Sequence, residues 1–379
     1  MSTWILRAER VFTGEVEHAP GEVVIDGDRI VRVGPVSTAV DAEIVDLGAV
    51  TLVPGFVDVH SHGAAGVAFS EDPDKVLAFH RSHGTTSMIA SLVTEPLATL
   101  HQQISDLAPL VHRGDLAGIH LEGPWLAAAY KGAHAEKYLR DPDPVDVSAV
   151  LEVGEGTVRM VTLAAERAGG LESVALLRDR GIVAALGHTA ADHATAVAAI
   201  DAGVTGATHL FNAMPPLHHR TPGPVLALMA DPRVWLEVIL DGVHLSPDLV
   251  AWLFEVCGDR IVLITDAMAA TGCCDGAYRL GSLPVDVRDG IARIAGTDTI
   301  AGSTLTLDAA LHHAVTAGVD WRAAVRSLTV LPAAYLGLDD VGLLRAGARA
   351  DLLALDDQWQ VTGVWHRGTP GVGRVTPTR

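Results

Sequence analysis

Short apolar runs alternate with amphipathic segments through the middle of the chain, from about residue 54 to residue 342. The runs are rich in Val, Ile, Leu and Ala, which is typical of strands buried on both faces of a parallel sheet. The predicted strands cover residues 54–62, 85–91, 116–122, 158–163, 182–188, 206–209, 234–239 and 261–266. Helical segments such as 170–180, 192–202 and 247–257 lie between them. Eight strand–helix units predict an α/β fold, a (β/α)8 TIM-type barrel over residues 54–342.

The two ends of the chain carry a different pattern, in which short strand-like runs are joined by turn residues. Residues 22–25 and 29–33 flank Asp26-Gly27-Asp28, which predicts a hairpin. Residues 350–355 and 361–365 are also strand-like. Because chain termini often lie close together, residues 1–53 and 343–379 are predicted to form one small β-sandwich domain beside the barrel domain.

Ligand-type residues fall at the predicted carboxyl ends of five barrel strands. His60 and His62 are two positions apart, so on an extended strand they point to the same face. Later strands end in Glu122, His188, His209 and Asp266. The active site of such a barrel lies on this face, and imidazole and carboxylate groups suit zinc or another divalent transition metal. Each residue alone has an ordinary explanation, such as a helix cap or a core histidine, but together they favour a metal site.

Composition and charge narrow the choice of partners and compartment. Asp plus Glu number 46 and Lys plus Arg 27, a net charge of −19, which argues against nucleic acid as a partner. The three cysteines, Cys257, Cys273 and Cys274, include an adjacent pair and fit a reducing compartment. We find no signal-peptide core in residues 1–20 and no apolar stretch long enough to span a membrane. A cytoplasmic protein without membrane association is expected.

Several stretches resemble N-acetylglucosamine-6-phosphate deacetylases of the metal-dependent amidohydrolase superfamily. They cover residues 120–125 with 131–134, then 209–224, 241–244 and 265–267, in the family's order and at compatible separations. The resemblance spans nearly the full chain. It implies hydrolysis of the N-acetyl group of N-acetyl-D-glucosamine 6-phosphate to D-glucosamine 6-phosphate and acetate. In that reaction a metal activates water and Asp266 acts as the acid/base.

The resemblance also implies roles for individual residues. Glu122, His188 and His209 correspond to the shared metal ligands, and His134 to the residue that hydrogen-bonds the substrate near its N-acetyl group. The implied substrate contacts are Ala133, His134, Asn212, Ala213, Arg220, His244, Ile300, Ala301 and Gly302. In this family the counterparts of Arg220 and His244 bind the phosphate from a neighbouring subunit. A homodimer acting on a small phosphorylated amino sugar is therefore expected.

The number and identity of the metal ions stay open. Some family members carry amide side chains at the positions of His60 and His62 and use one metal. This chain has both histidines, so one ion, or two ions with the second bridged by Glu122, is expected. Zinc is favoured, with iron, manganese and cobalt as alternatives.

Three other functions also stay open. A deacetylase of N-acetylgalactosamine 6-phosphate would act on a substrate that differs at one hydroxyl. A dihydroorotase-like cyclic amidase is disfavoured, because related amidases bridge two metals with a lysine on the fourth strand and residues 158–163 contain none. A non-catalytic sugar-phosphate sensor is disfavoured because all six ligand-type positions are intact.

Overall fold

Eight parallel strands form the central sheet of the computed structural model, which describes residues 3–37 and 42–371. In chain order they span Phe56–Asp58, Thr85–Leu92, Gly118–Glu122, Val158–Leu163, Val183–Leu186, Val204–Ala207, Trp235–Ile239 and Ile261–Ile264, and we call them barrel strands one to eight. Each strand pairs in parallel with the next. The segments after strands one and eight also meet, where Asp266 N–H donates to His60 O at 2.8 Å. The predicted (β/α)8 barrel is confirmed.

Helices follow the barrel strands on the outside of the sheet. They are α1 Pro73–Ser82, α2 Leu97–His112, α3 Pro144–Val153, α4 Gly170–Asp179, α5 His193–Ala202, α6 Gly223–Ala230, α7 Pro247–Cys257, α8 Leu307–Thr316, α9 Trp321–Leu328 and α10 Val330–Tyr335. Asp192 and Ser246 cap α5 and α7 by accepting hydrogen bonds from backbone N–H groups of the first turn, as short polar side chains at this position do. In the part of the chain that the structure describes, no helix combines the length and apolarity needed to cross a bilayer.

Several barrel strands end earlier than the sequence predicts. Strands five, six and eight end at residues 186, 207 and 264, two residues before His188, His209 and Asp266. These three residues have φ of 48°, 28° and 49°, a left-handed conformation that is uncommon outside glycine and concentrates at functional sites. The apolar run continues to each polar residue, so the pattern alone cannot mark the point where the backbone leaves the sheet.

The two ends of the chain form two further sheets. One has the strand order Arg29–Pro35, Gly21–Asp26, Trp4–Ala8, Glu43–Asp46, and the other Thr369–Pro370, Val361–His366, Leu352–Leu355, Thr51–Pro54, Arg10–Phe12, Glu17–His18. Leu352–Leu355 pairs antiparallel with Thr51–Pro54, so the N- and C-terminal segments share a sheet. Leu6, Val23 and Trp365 belong to one buried apolar cluster formed by these strands. The division at residues 53/54 and 342/343 stays a prediction, and its residues 1–2, 38–41 and 372–379 lie outside the described ranges.

A three-stranded antiparallel sheet after barrel strand eight is absent from the sequence prediction. It comprises Gly276–Leu280, Leu283–Arg288 and Ile291–Ile294. A short hairpin, Gly63–Ala64 with Val67–Ala68, follows strand one. The three-stranded sheet and the hairpin both follow the carboxyl ends of barrel strands, on the face of the barrel where the predicted ligand residues lie.

His80 in α1 is expected to make the folded protein less stable in mild acid. Its ring is fully buried, and this burial lowers its pKa to about 4, compared with about 6.5 in an unfolded chain. Between pH 6.5 and 4 the unfolded chain binds a proton on this histidine that the folded chain does not. The free energy of unfolding should therefore fall by up to about 3 kcal/mol as the pH drops through this window.

Urea unfolding of the metal-free protein at pH 7 and pH 4.5 would measure this effect. His80→Gln removes the titration, so the variant should lose less stability than the wild type between the two pH values. His312→Gln, at an exposed position, is the control and should behave as the wild type does. Equal losses in wild type and His80→Gln would contradict the assignment.

Candidate active site

Six buried side chains at or just beyond the carboxyl ends of five barrel strands form one cluster, centred on Glu122, the last residue of strand three. They are the six predicted ligand residues His60, His62, Glu122, His188, His209 and Asp266, and none is more than 7% exposed. Glu122 Oε1 lies 3.1 Å from Nε2 of both His188 and His209, and these two nitrogens are 3.1 Å apart. Glu122 Oε2 lies 3.2 Å from His62 Nε2. The two oxygens of one carboxylate thus face different imidazoles.

A second group of donors lies beside the same carboxylate, where His62 Nε2 is nearest to Oε2 and His60 Nε2 lies 3.6 Å from Oε1 of Glu122. The Nε2 atoms of His60 and His62 are 3.3 Å apart, and Asp266 Oδ1 is 3.5 Å from the first and 3.1 Å from the second. The His-x-His pair converges as predicted, although strand one ends at residue 58 and the histidines follow a bend.

Hydrogen bonds at the far side of the rings leave the facing nitrogens free to bind a cation. His62 Nδ1 lies 3.1 Å from Ser91 O, and His188 Nδ1 lies 2.8 Å from Tyr130 O. A carbonyl oxygen can only accept, so each Nδ1 carries a proton, and it is the neutral ring that presents a lone pair on Nε2 to a cation. Tetrahedral divalent ions with bonds of about 2.0–2.1 Å hold neighbouring donors about 3.3 Å apart. The donor set therefore fits a divalent metal.

His134 lies close to the same carboxylate but has the opposite ring tautomer. The backbone N–H of Thr94 donates to His134 Nδ1 at 3.3 Å, so Nδ1 is an acceptor and Nε2 carries the proton. That Nε2 is 3.4 Å from Glu122 Oε2. His134 is within the range of a metal ligand, but its tautomer makes it a hydrogen-bond donor.

Electrostatics keep both central carboxylates ionised. Burial acts to raise the pKa of Asp266 and of Glu122, but the surrounding histidines outweigh it, holding the pKa of Asp266 at about 2 and that of Glu122 well below its usual range. In the same way, and against burial, the two carboxylates raise the pKa of His62 to about 9 and that of His60 well above its usual range. The two carboxylates thus favour positive charge at this site. Protons on the histidines or a bound cation can supply that charge.

A cavity of about 390 Å³ opens above the cluster. Of the predicted substrate residues, those that line it are Ala133, His134, Asn212, Ala213, His244, Ile300 and Gly302. Ala301 is buried, and its N–H donates to Ala292 O. A larger cavity of about 730 Å³ lies alongside and includes His62, but the smaller cavity contains Glu122, His188, His209 and Asp266. We therefore place the candidate active site in the smaller cavity.

The two predicted phosphate-binding residues occupy different places. His244 lines the cavity of its own chain, with Nδ1 2.7 Å from Asp241 Oδ2. This differs from the expectation that His244 comes from a neighbouring subunit, because the loop after barrel strand seven carries it to the mouth of its own barrel. Arg220 is exposed, pairs with His219 at 2.8 Å and is not among the described residues that line the cavity. Its contribution across an interface stays a prediction.

Sequence reasoning missed two buried carboxylates that hold the site together. Asp58 accepts hydrogen bonds from Thr265 Oγ1 at 2.6 Å and from His60 N–H at 3.2 Å, joining strands one and eight, and burial raises its pKa to about 6. Glu237 in strand seven lies 3.0 Å from His60 Nδ1. Each interrupts an otherwise apolar strand run, a signal that could have singled them out because unpaired charges are rarely buried.

Comparisons with known proteins agree with this geometry. Residues 51–370 match the amidohydrolase family. The N-acetylgalactosamine-6-phosphate deacetylase of Escherichia coli O157:H7 is 36% identical over 97% of this chain and 98% of its own length, and the N-acetylglucosamine-6-phosphate deacetylase of Vibrio furnissii is 32% identical over 96% and 93%. The structure of a mutant N-acetyl-D-glucosamine-6-phosphate deacetylase from Mycobacterium smegmatis, in complex with N-acetyl-D-glucosamine-6-phosphate, is 48% identical. It covers 98% of this chain and 99% of its own, with a TM-score of 0.94. The chain therefore belongs to the amidohydrolase family, and the resemblance to its N-acetylglucosamine-6-phosphate deacetylases is confirmed.

Proposed function

We propose that the protein hydrolyses N-acetyl-D-glucosamine 6-phosphate to D-glucosamine 6-phosphate and acetate. The observation that carries this proposal is the arrangement at Glu122, whose two oxygens face separate sets of imidazoles beside the ionised Asp266. Such a site supports hydrolysis of an unactivated amide, which requires both a stronger nucleophile and a stabilised leaving group. The named relatives and the cavity above the donors support the substrate class.

The donor geometry supports two divalent ions. Glu122 with His188 and His209 would hold one, and Glu122 with His60, His62 and Asp266 would hold the other. We favour zinc because nitrogen and carboxylate donors at these separations suit its tetrahedral coordination. Iron, manganese and cobalt bind similar donor sets, so metal analysis must decide among them.

The chain's own residues provide the proton transfers. A bound divalent cation lowers the pKa of water from about 15.7 to about 7 and polarises a carbonyl oxygen. Asp266, ionised at neutral pH, would accept a proton from water as its oxygen adds to the acetyl carbon. The same carboxyl group would then give that proton to the amide nitrogen as the C–N bond breaks. The second proton of the water, left on the new carboxyl group, passes to the amine, so acetate and the ammonium form of the amino sugar leave with atoms and charge in balance.

His134 is suited to stabilise the negative charge that develops on the acetyl oxygen. Its Nε2 carries a proton because Nδ1 accepts from Thr94, and the residue lines the cavity. A preorganised donor of this kind contributes about 3–4 kcal/mol to transition-state stabilisation. His134 would thus act on the substrate, while the imidazoles with the opposite tautomer hold the cations.

We further propose a homodimer in which Arg220 binds the substrate phosphate of the neighbouring subunit. Arg220 is exposed and does not line the described cavity, although Asn212 and Ala213 of the same loop do, so its side chain is free to reach another copy. Exposed apolar side chains nearby in sequence, Leu217 and Leu226, support a contact surface there. Arginine suits phosphate because its planar guanidinium group can form two parallel hydrogen bonds.

Arg220→Ala is expected to raise KM for N-acetylglucosamine 6-phosphate by about 10–100-fold, the loss of one charge-assisted contact. KM for unphosphorylated N-acetylglucosamine should be unchanged. Arg288→Ala, at another exposed arginine, is the matched control. Hybrid dimers of Arg220→Ala with Asp266→Asn should recover activity, because one site then has both residues intact. Verified hybrids without recovery would place Arg220 outside the shared site.

Acetate release, measured together with metal content on one sample, tests the proposed function. We expect turnover of the glucosamine substrate by metal-loaded protein and none after chelation.

The 36% identity to an N-acetylgalactosamine-6-phosphate deacetylase over nearly all of both chains favours that epimer as the second candidate. A higher kcat/KM for the galactosamine substrate would replace the first proposal. Binding of either sugar without acetate release would identify a sensor.

A further inference from the structure

Glu237 is a fully buried carboxylate in the middle of barrel strand seven. Its Oε2 lies 3.0 Å from His60 Nδ1, and its Oε1 accepts a hydrogen bond from Tyr335 OH at 3.2 Å. Both carboxylate oxygens are therefore engaged. A buried carboxylate is costly unless it is paired in this way, so its position in an apolar strand calls for a specific role.

The partner of His60 differs from those of the other converging histidines. His62 and His188 direct Nδ1 to neutral backbone carbonyls, and His209 Nδ1 has no partner among the described residues. His60 alone of the four directs Nδ1 to a carboxylate. An anionic acceptor fixes the ring so that Nε2 faces the cation and makes that nitrogen a stronger donor.

Tyr335 holds the Glu237 carboxylate from the opposite side. This tyrosine belongs to α10 and reaches the carboxylate beside strand six at Gly206. A Cβ atom at Gly206 would lie 1.9 Å from the tyrosine hydroxyl, so only glycine leaves room for the contact. Tyr335, Glu237 and His60 thus form a linear series of hydrogen bonds, with the carboxylate of Glu237 between the other two side chains.

We propose that Glu237, held by Tyr335, is the positioning residue for the cation bound by His60, His62 and Asp266. The inference rests on the two-ion site proposed above. Only the affinity for this ion should depend on Glu237. The donors of the other ion, His188 and His209, have no contact with Glu237 among the described hydrogen bonds. Glu237 touches neither substrate nor cation and acts through His60.

Zinc titration of the metal-free protein in competition with a chromophoric chelator tests the proposal. The wild type should bind two equivalents. Glu237→Gln keeps the side chain's size and removes its charge, so one equivalent should bind about 10–100-fold more weakly while the other keeps its affinity. Tyr335→Phe, which removes only the hydroxyl, should weaken the same equivalent by a smaller factor.

Unchanged affinities for both ions in Glu237→Gln would overturn the proposal. Equal weakening of both ions with a lower unfolding midpoint would also overturn it, since that result indicates a purely structural role. Should Glu237→Gln fail to fold, the titration of Tyr335→Phe decides by the same criteria. A wild type that binds no zinc, iron, manganese or cobalt would instead remove the proposed metal-dependent function, and this inference with it.

Discussion

Asp266→Asn is expected to lower kcat for acetate release by about 10²–10⁴-fold, the usual contribution of a positioned general acid/base. The carboxylate is ionised at neutral pH and lies 3.1 Å from His62 Nε2 at the base of the cavity. An amide at this position cannot accept the proton of the attacking water. Steady-state acetate release, with substrate binding measured by calorimetry, would separate lost turnover from lost affinity.

Metal content must be measured on the same Asp266→Asn sample, because the carboxylate also belongs to one donor group. Retained metal with lost turnover would assign the defect to proton transfer. Asp298→Asn is a matched control, since that carboxylate lines the same cavity but belongs to neither donor group. Unchanged turnover in Asp266→Asn would remove Asp266 from its proposed role.

The barrel and its ligand residues could be predicted because both depend on local signals. Apolar runs mark the strands, and the rule that active sites lie at their carboxyl ends selects polar residues such as Glu122 and His209. The left-handed backbone at His209 could not be predicted. Its φ of 28° depends on packing against neighbouring strands, and the same apolar run would precede a histidine that continued the strand.

Contacts between distant residues are the part of the site that one sequence does not reveal. Glu237 and His60 are 177 positions apart, and no periodicity links them. The tautomer of His134 likewise depends on the backbone N–H of Thr94, 40 positions away. The resemblance implies a role in substrate binding for His134, and its place in the cavity wall with a protonated Nε2 supports that proposal.

His134 and His188 have opposite ring tautomers, which would suit them to different roles in the proposed reaction. Their rings lie 4.5 Å apart between centroids, in an edge-to-face arrangement, and both approach the Glu122 carboxylate. One nitrogen arrives with a proton and the other with a lone pair, because different backbone groups hold the far side of each ring. Proximity to Glu122 therefore does not by itself make a histidine a metal ligand.

Glu122→Gln is expected to cause the largest loss of bound metal. The substitution keeps the side chain's shape but replaces one carboxylate oxygen with an NH₂ group, which cannot bind a cation. Because Oε1 serves His188 and His209 while Oε2 serves His62, either orientation of the amide removes a ligand from one ion. The lost negative charge also lowers the affinity for the other ion, so we expect less than one equivalent of bound metal. The fall in kcat should be at least as large as for Asp266→Asn.

Elemental analysis after dialysis, combined with acetate release, measures both effects of Glu122→Gln. Glu95→Gln is the matched control, because Glu95 lines only the larger neighbouring cavity and should leave metal content and turnover unchanged. Two equivalents of metal in Glu122→Gln would contradict the bridging role. Neutral imidazoles supply no negative charge, so the site needs both buried carboxylates, Glu122 and Asp266, to balance the charge of two divalent ions.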